Sequence, residues 1–267
     1  MAFRIGEVRP LQLEVEGTTH PVASASGADR SPVPHHRVDI VCFPLDRARP
    51  DDEAVLAPEE RERADRFRFA RDRRRYITGR AELRRRLAQR CGAAPGHLQL
   101  VVGPQGKPRL GEHDGVDFNL SHSAGWALLA ITTGVTVGID IEAVQPGIAG
   151  SGVAEHFFAP TEVRHLQSLP EHERDQAFVE CWTRKEAYLK GKGGGLSLPL
   201  DGFDVSFGPG RPARLLRSDT DPSDCRTWTL VDLTEIVPPH FVAALAVHEA
   251  AGGFTFGLDA AERKGTT

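Results

Sequence analysis

From Val137 to Glu142 the chain reads Val-Gly-Ile-Asp-Ile-Glu, in which apolar and acidic residues alternate after Gly138. In an extended strand, successive side chains point to opposite faces. Val137, Ile139 and Ile141 therefore share one face, and Asp140 and Glu142 share the other. Two carboxylates side by side, about 7 Å apart, repel one another. Taken alone, such a strand is read as a half-exposed sheet edge with its acids in water. If it is buried, the acid pair calls for a hard cation such as Mg²⁺ that takes oxygen ligands from both.

Roughly forty residues on, Phe178 to Lys190 reads as a helix, because its large apolar residues recur every three to four positions. At about 100° per residue, Phe178, Val179, Cys181, Trp182, Tyr188 and Leu189 form one arc, with Glu180, Thr183, Arg184 and Ala187 opposite. Lys185 projects between Cys181 and Phe178, Glu186 between Trp182 and Val179, and Lys190 stands at the edge of the same arc. A solvated i,i+4 ion pair between Glu186 and Lys190 is the ordinary reading of that spacing. Their place on the apolar face argues against it, since burying unpaired ions costs several kcal/mol each. Glu186 needs a cation and the lysines an anion, and a metal–phosphate complex supplies both.

Gly138-Ile139-Asp140-Ile141-Glu142 followed by Trp182-Thr183-Arg184-Lys185-Glu186-Ala187-Tyr188-Leu189-Lys190 resembles the two-part signature of Sfp-type 4′-phosphopantetheinyl transferases. Phe118-Asn119-Leu120-Ser121-His122-Ser123 upstream and Gly195-Leu196-Ser197-Leu198-Pro199-Leu200 downstream extend the resemblance, which runs from about Val38 to His248. It implies an α+β fold of two similar halves about a pseudo-twofold axis, with coenzyme A in the cleft between them. It implies transfer of 4′-phosphopantetheine from coenzyme A to a serine of an acyl, peptidyl or aryl carrier protein, with release of adenosine 3′,5′-bisphosphate. Asp140, Glu142 and Glu186 would hold Mg²⁺. Lys185 and Lys190 would face the pyrophosphate, with Lys190 protonating the leaving phosphate, and Glu186 would serve as base for the serine. Sequence leaves Glu186 open between ligand, base and both. By the same resemblance Ser121 and His122 reach the coenzyme, His122 as a phosphate ligand. Arg75 meets the 3′-phosphate, Arg63 adds a second basic contact, and Gly106, Lys107 and Pro108 line the adenine pocket. Polyketide, nonribosomal-peptide and siderophore pathways, and fatty-acid synthase, are the settings such an enzyme fits.

Strands and helices segregate along the chain, which independently argues for α+β. Residues 1–36 are rich in Ser, Thr, Ala, Pro and Gly beyond Gly17 and read as a loosely attached arm. Arg37 to Phe43 is a β-branched strand, Pro58-Glu59-Glu60 opens a helix, and a second helix follows a break near Phe69 to Asp72. Trp126 to Thr132 and Val135 to Ile141, joined at Thr133-Gly134, are expected to form a hairpin. Further expectations are a helix around Thr161 to Leu169, a helix stop in the glycine run from Gly191, and strands at Leu198 to Phe207, Thr227 to Leu233 and Phe241 to His248. The division proposed is an N-terminal half at 37–133, a C-terminal half carrying the metal site at 134–252, and a frayed tail at 253–267.

The net charge of −4 hides an asymmetry: Arg61 to Arg90 holds thirteen arginines against four acids, a local +9. Such a patch suits an anionic ligand. Two other classes stay open at this point. Nucleic-acid binding by the arginine helices would collapse with salt and ignore the acid triad. A different Mg²⁺-dependent phosphotransferase or pyrophosphohydrolase would release phosphopantetheine to water. The transferase reading expects coenzyme A and a carrier as partners, a monomer, and no nucleic acid. The run Phe241 to Val247 is too short to span a membrane and the charged stretch from Met1 to Leu13 is no signal peptide, so a cytoplasmic place is expected. Four scattered cysteines without paired spacing read as reduced and structural.

Overall fold

A computed structural model describes residues 36–103, 106–113, 115–193, 198–248 and 254–260. The expected arm, His36 apart, lies outside the described residues, as do Gly194, Gly195 and residues 261–267. In chain order the elements are β1 (His36–Pro44), α1 (Pro58–Asp65), α2 (Ala70–Cys91), β2 (Leu100–Val102), β3 (Pro108–Leu110), β4 (Val116–Ser123), β5 (Trp126–Thr133) and β6 (Thr136–Ala143). There follow α3 (Val153–Phe157), α4 (Pro160–Ser168), α5 (Glu171–Lys192), β7 (Phe203–Val205), β8 (Leu215–Ser218), α6 (Asp224–Thr227), β9 (Trp228–Asp232), β10 (Phe241–His248) and β11 (Phe254–Ala260). The fold is α+β, as the segregation of helices and strands predicts.

Two main sheets carry the structure, ordered β11-β1-β5-β4 and β6-β10-β9. Their inner faces share one apolar core, in which Val38, Ile40, Leu128 and Ala130 meet Val137, Ile139, Ile141, Ala243, Leu245 and Val247. The alternation in β6 thus resolves as read: its apolar residues fill this core, and α5 packs on the other face.

The two halves repeat a plan. Each runs strand, short helix, long helix, small hairpin and two strands, with α3 and α6 as additions in the second, and the pairing β1-β5-β4 recurs as β6-β10-β9. A buried lock repeats as well. Ala57-Pro58-Glu59-Glu60 and Ala159-Pro160-Thr161-Glu162 each begin a short helix with proline at its first position. Glu60 Oε2 accepts the Ala57 amide at 3.0 Å and Glu162 Oε2 the Ala159 amide at 2.9 Å. Each glutamate then meets a buried cation from the following 22-residue helix: Arg84 Nε lies 2.5 Å from Glu60, and Lys185 Nζ lies 2.7 Å from Glu162. Each cation also donates to two backbone carbonyls, Arg84 through Nη1 to those of Pro95 and Leu98 and Lys185 to those of Leu200 and Phe203. Because arginine stands for lysine and the repeat rests on a few positions about a hundred residues apart, the sequence shows no obvious duplication.

Burial alone would push the Glu60 carboxyl up, but the hydrogen bond from Arg84 and the charge of Arg80 outweigh it and hold the carboxyl below its usual value of 4.5. A depressed carboxyl stabilises the folded chain above its unfolded-state value, and that stability is lost as pH falls through the folded value. Chemical denaturation at a series of pH values should therefore show a loss of stability below about pH 4.5 that is reduced in Glu60→Gln, a variant already weaker at neutral pH.

Four expectations need correction. β5 and β6 do not form a hairpin: β5 lies between β1 and β4, so both its edges are taken, while β6 pairs with β10. Gly134, with φ 84° and its amide on Gly115 O, turns the chain from one sheet into the other. Residues 254–260 of the expected frayed tail form β11, parallel to β1 with Phe254 opposite His36, and Phe254 and Phe256 pack against the shared core. The stretch Leu198 to Phe207 is strand only at β7, with β8 as an unforeseen partner. Lastly, the arc of α5 read as lying opposite its apolar face is enclosed as well. Thr183, Arg184 and Ala187 are buried, with Arg184 donating to Ser206 O at 2.6 Å and to Asp232 at 2.6 Å.

Candidate functional site

The site is built where α5 crosses β6. A Cβ on Gly138 would stand 2.1 Å from Ala187 O and 2.2 Å from Gly191 N, and one on Gly191 would run into Trp228. Glycine at 138 lets helix and strand touch backbone to backbone, and glycine at 191 leaves room for the Trp228 ring behind the helix. That contact brings Glu186 and Lys190, one helical turn apart on α5, against Asp140 and Glu142 on β6.

Lys190 Nζ donates to Asp140 Oδ1 at 2.5 Å and to Ser121 Oγ at 3.0 Å, and Ser121 Oγ donates to the same carboxylate oxygen at 2.7 Å. Ser123 Oγ donates to Glu142 Oε2 at 2.7 Å. Asp140 is 1% exposed, and its second oxygen, Oδ2, is buried with no hydrogen-bond partner. Burial pushes the Glu142 carboxyl up; Ser123 pulls it down, the charge of Asp140 raises it again, Lys190 lowers it, and Glu186 adds a last upward push. Glu186 is pushed up by burial and then by Asp140, with Lys190 opposing. The three carboxylates therefore feel one another around a single ammonium.

Among the described residues no three His, Cys, Asp or Glu side chains close on a common ion as they stand. The donor set nevertheless suits a hard divalent cation: the candidate ligands are all carboxylate oxygens, one is buried without a partner, and two belong to groups whose negative form is disfavoured by burial and then by neighbouring acids.

Beside this cluster, a cavity of about 670 Å³ opens in the N-terminal half between α1, α2 and β4. Arg63, Arg75, Pro108 and His122 line it, whereas Asp140, Glu142, Glu186 and Lys190 do not. The two regions meet along β4: exposed His122 faces the cavity, and its neighbour Ser121 bonds Asp140. Arg75 is held by two hydrogen bonds to Asp46, both 2.7 Å, and Arg63 lies 5.5 Å from the Tyr76 ring with no ion pair among the described residues. Among the described residues, nine of the thirteen arginines from Arg61 to Arg90 are paired with acids, including Asp39, Asp46, Asp51 and Glu53, so much of the local excess is neutralised by residues outside that segment.

Three residues expected at the coenzyme are placed elsewhere. Lys185 is fully buried, and its ammonium is used by Glu162 and the carbonyls of Leu200 and Phe203, so it faces no cleft. Gly106 and Lys107 do not line the cavity; Lys107 Nζ reaches Asp117 at 2.6 Å and Val137 O at 2.7 Å, at the junction of the halves. Sequence reasoning gave no role to Asp117, Asn119 and Ser123, whose signal was there: with Ser121 they form an unbroken polar row at every second position of the run 117–123 and share one face of β4.

Comparison with known proteins gives two adjoining matches: residues 52–134 to the N-terminal region of 4′-phosphopantetheinyl transferases, and residues 136–246 to the 4′-phosphopantetheinyl transferase superfamily. The chain is 38% identical over 197 residues to the 4′-phosphopantetheinyl transferase HetI of Nostoc sp., covering 73% of this chain and 79% of that one. It is 29% identical over 196 residues to the 4′-phosphopantetheinyl transferase Sfp of Bacillus subtilis, covering 73% and 84%. To the human L-aminoadipate-semialdehyde dehydrogenase-phosphopantetheinyl transferase it is 28% identical over 208 residues, covering 70% and 66%. With acids and lysine gathered where β6 meets α5, and with matches spanning both halves, the chain belongs to the 4′-phosphopantetheinyl transferase superfamily, as a transferase of the Sfp type.

Proposed function

We propose that the protein transfers 4′-phosphopantetheine from coenzyme A to a serine of acyl, peptidyl or aryl carrier proteins, with Mg²⁺ at Asp140, Glu142 and Glu186. The observation that carries this reading is a buried Asp140 with one oxygen on Lys190 and the other without a partner, close enough to Glu142 and Glu186 for their charges to act on one another. The adjacent cavity takes the nucleotide end of coenzyme A, with His122 on a phosphate and Arg75 and Arg63 on the 3′-phosphate side. Guanidinium suits that role through its planar fork of donors. When bound, the cation neutralises charge on the diphosphate oxygens.

Glu186 takes the proton of the carrier serine, whose oxygen then bonds to the β-phosphorus while the bond from that phosphorus to the bridging oxygen breaks. Burial and the neighbouring acid raise its proton affinity, which suits a base at neutral pH. Lys190 donates to the departing phosphate, and adenosine 3′,5′-bisphosphate leaves. The partner left behind, Asp140, keeps its hydrogen bond from Ser121. No helix among the described residues is long and apolar enough to cross a membrane. The reading places a monomer in the cytoplasm, beside its carriers.

Incubation with coenzyme A, Mg²⁺ and a panel of apo-carriers, followed by intact-mass measurement, should add one phosphopantetheine to at least one carrier serine and release adenosine 3′,5′-bisphosphate in equal amount. Phosphopantetheine appearing free in solution, with every carrier unmodified, would point to a hydrolase instead.

A further inference from the structure

The strands β4 and β6 lie along each other at the junction of the halves, yet they belong to different sheets. β4 pairs with β5 along one edge, and β6 pairs with β10 along one of its own. In an antiparallel ladder, alternate residues send their amides to the same side. The amides of Val137, Ile139 and Ala143 all point away from β10, towards β4, and would be left bare by backbone pairing alone. Side chains of β4 meet them instead. Asp117 Oδ2 accepts from Val137 N at 2.8 Å, Asn119 Oδ1 from Ile139 N at 2.8 Å, and Ser123 Oγ from Ala143 N at 3.2 Å. Ser121 continues the same face of β4 onto the Asp140 carboxylate.

We propose that Asn119 is a positioning residue for the transfer reaction: its carboxamide stands in for a missing strand, fixes the Ile139 amide, and so sets where the next residue, Asp140, meets Ser121 and Lys190. Asp117 and Ser123 flank it, but Asp117 also has the Lys107 ammonium and Ser123 also bonds Glu142, so each has a second duty. Asn119, 8% exposed, is the rung with a backbone target only one residue from the acid that Lys190 grips. A displacement of an ångström at a reacting centre costs roughly a hundredfold in rate, whereas the fold is held by the apolar core shared between the sheets. The inference rests on the transferase reading for its kinetic consequence, and on geometry alone for its structural one.

The test uses Asn119→Leu, which keeps size and removes the acceptor. Amide hydrogen exchange should show the Ile139 amide losing protection while those of Gly138, Asp140 and Glu142, which face β10, keep theirs. Carrier modification should fall roughly 10- to 100-fold in kcat with KM for coenzyme A changed less than about threefold. Because Asn119 also borders the cavity, the opposite split is informative: a raised KM with unchanged kcat would make it a coenzyme contact and overturn the proposal. Unaltered protection at Ile139 would overturn it too, whatever the activity. Should Asn119→Leu not fold, the full-length wild-type protein still decides, since fast exchange at Ile139 beside slow exchange at Asp140 would show that the rung does not hold. If no carrier is modified even by wild type, the exchange result stands alone and the failure belongs to the transferase reading.

Discussion

On the mechanism proposed, Glu186→Gln should yield a folded protein that no longer modifies a carrier. Loss of a positioned base alone lowers a rate by roughly 10² to 10⁴, and loss of a negative ligand for the cation adds to that. The fold should not suffer. Burial and then Asp140 work against the Glu186 charge, and Lys190 offsets them only in part, so exchanging the carboxylate for an amide of the same shape removes a repulsion. Stability is expected within about 0.5 kcal/mol of wild type, or unfolding temperatures within about 2 °C. Intact-mass assay of carriers beside thermal unfolding checks both halves of the statement. Activity retained by the variant would remove Glu186 from the mechanism.

Lys185→Ala should fail in the opposite way, through the fold. Its ammonium is sealed in the C-terminal half between Glu162, two carbonyls and the Phe203 ring, which lies 4.2 Å away. Glu162 meanwhile caps α4 through the Ala159 amide and holds the Val205 amide of β7. Burial pushes the Glu162 carboxyl up even with Lys185 beside it, so removing the lysine leaves a buried acid with nothing to balance it. Breaking such a pair costs about 3 to 5 kcal/mol, while replacing both partners costs less. Denaturant unfolding of Lys185→Ala, Glu162→Gln and the double variant Lys185→Met/Glu162→Gln should show the double variant more stable than Lys185→Ala. If Lys185→Ala keeps wild-type stability and shows only a raised KM for coenzyme A, Lys185 acts as a coenzyme contact after all.

That contrast shows how far the amino-acid sequence could be read. The alternation of β6 and the helical period of α5 are local patterns, and both elements appear where periodicity puts them. The demand that Lys185 find an anion was also sound physics. The anion, however, is Glu162, 23 residues upstream, and nothing in the helix itself separates it from a pyrophosphate. The Thr133-Gly134 turn misled for a similar reason. A turn residue says that the chain reverses or redirects, but whether the strands it joins pair depends on which edges are already occupied, and β5 has none to spare. Asp117, Asn119 and Ser123 escaped notice because a polar side chain on a strand is ordinarily read as solvent-facing, and only the approach of β6 gives them backbone amides to meet.

The last described strand returns to the first half: β11 runs parallel to β1 and completes its sheet. A fragment cut at the boundary near residue 134 would lack that cover and leave β1 as a bare ribbon edge, prone to join a neighbouring copy. Separate production of the two halves therefore works against solubility, because the first half depends on a strand that the chain supplies after the second.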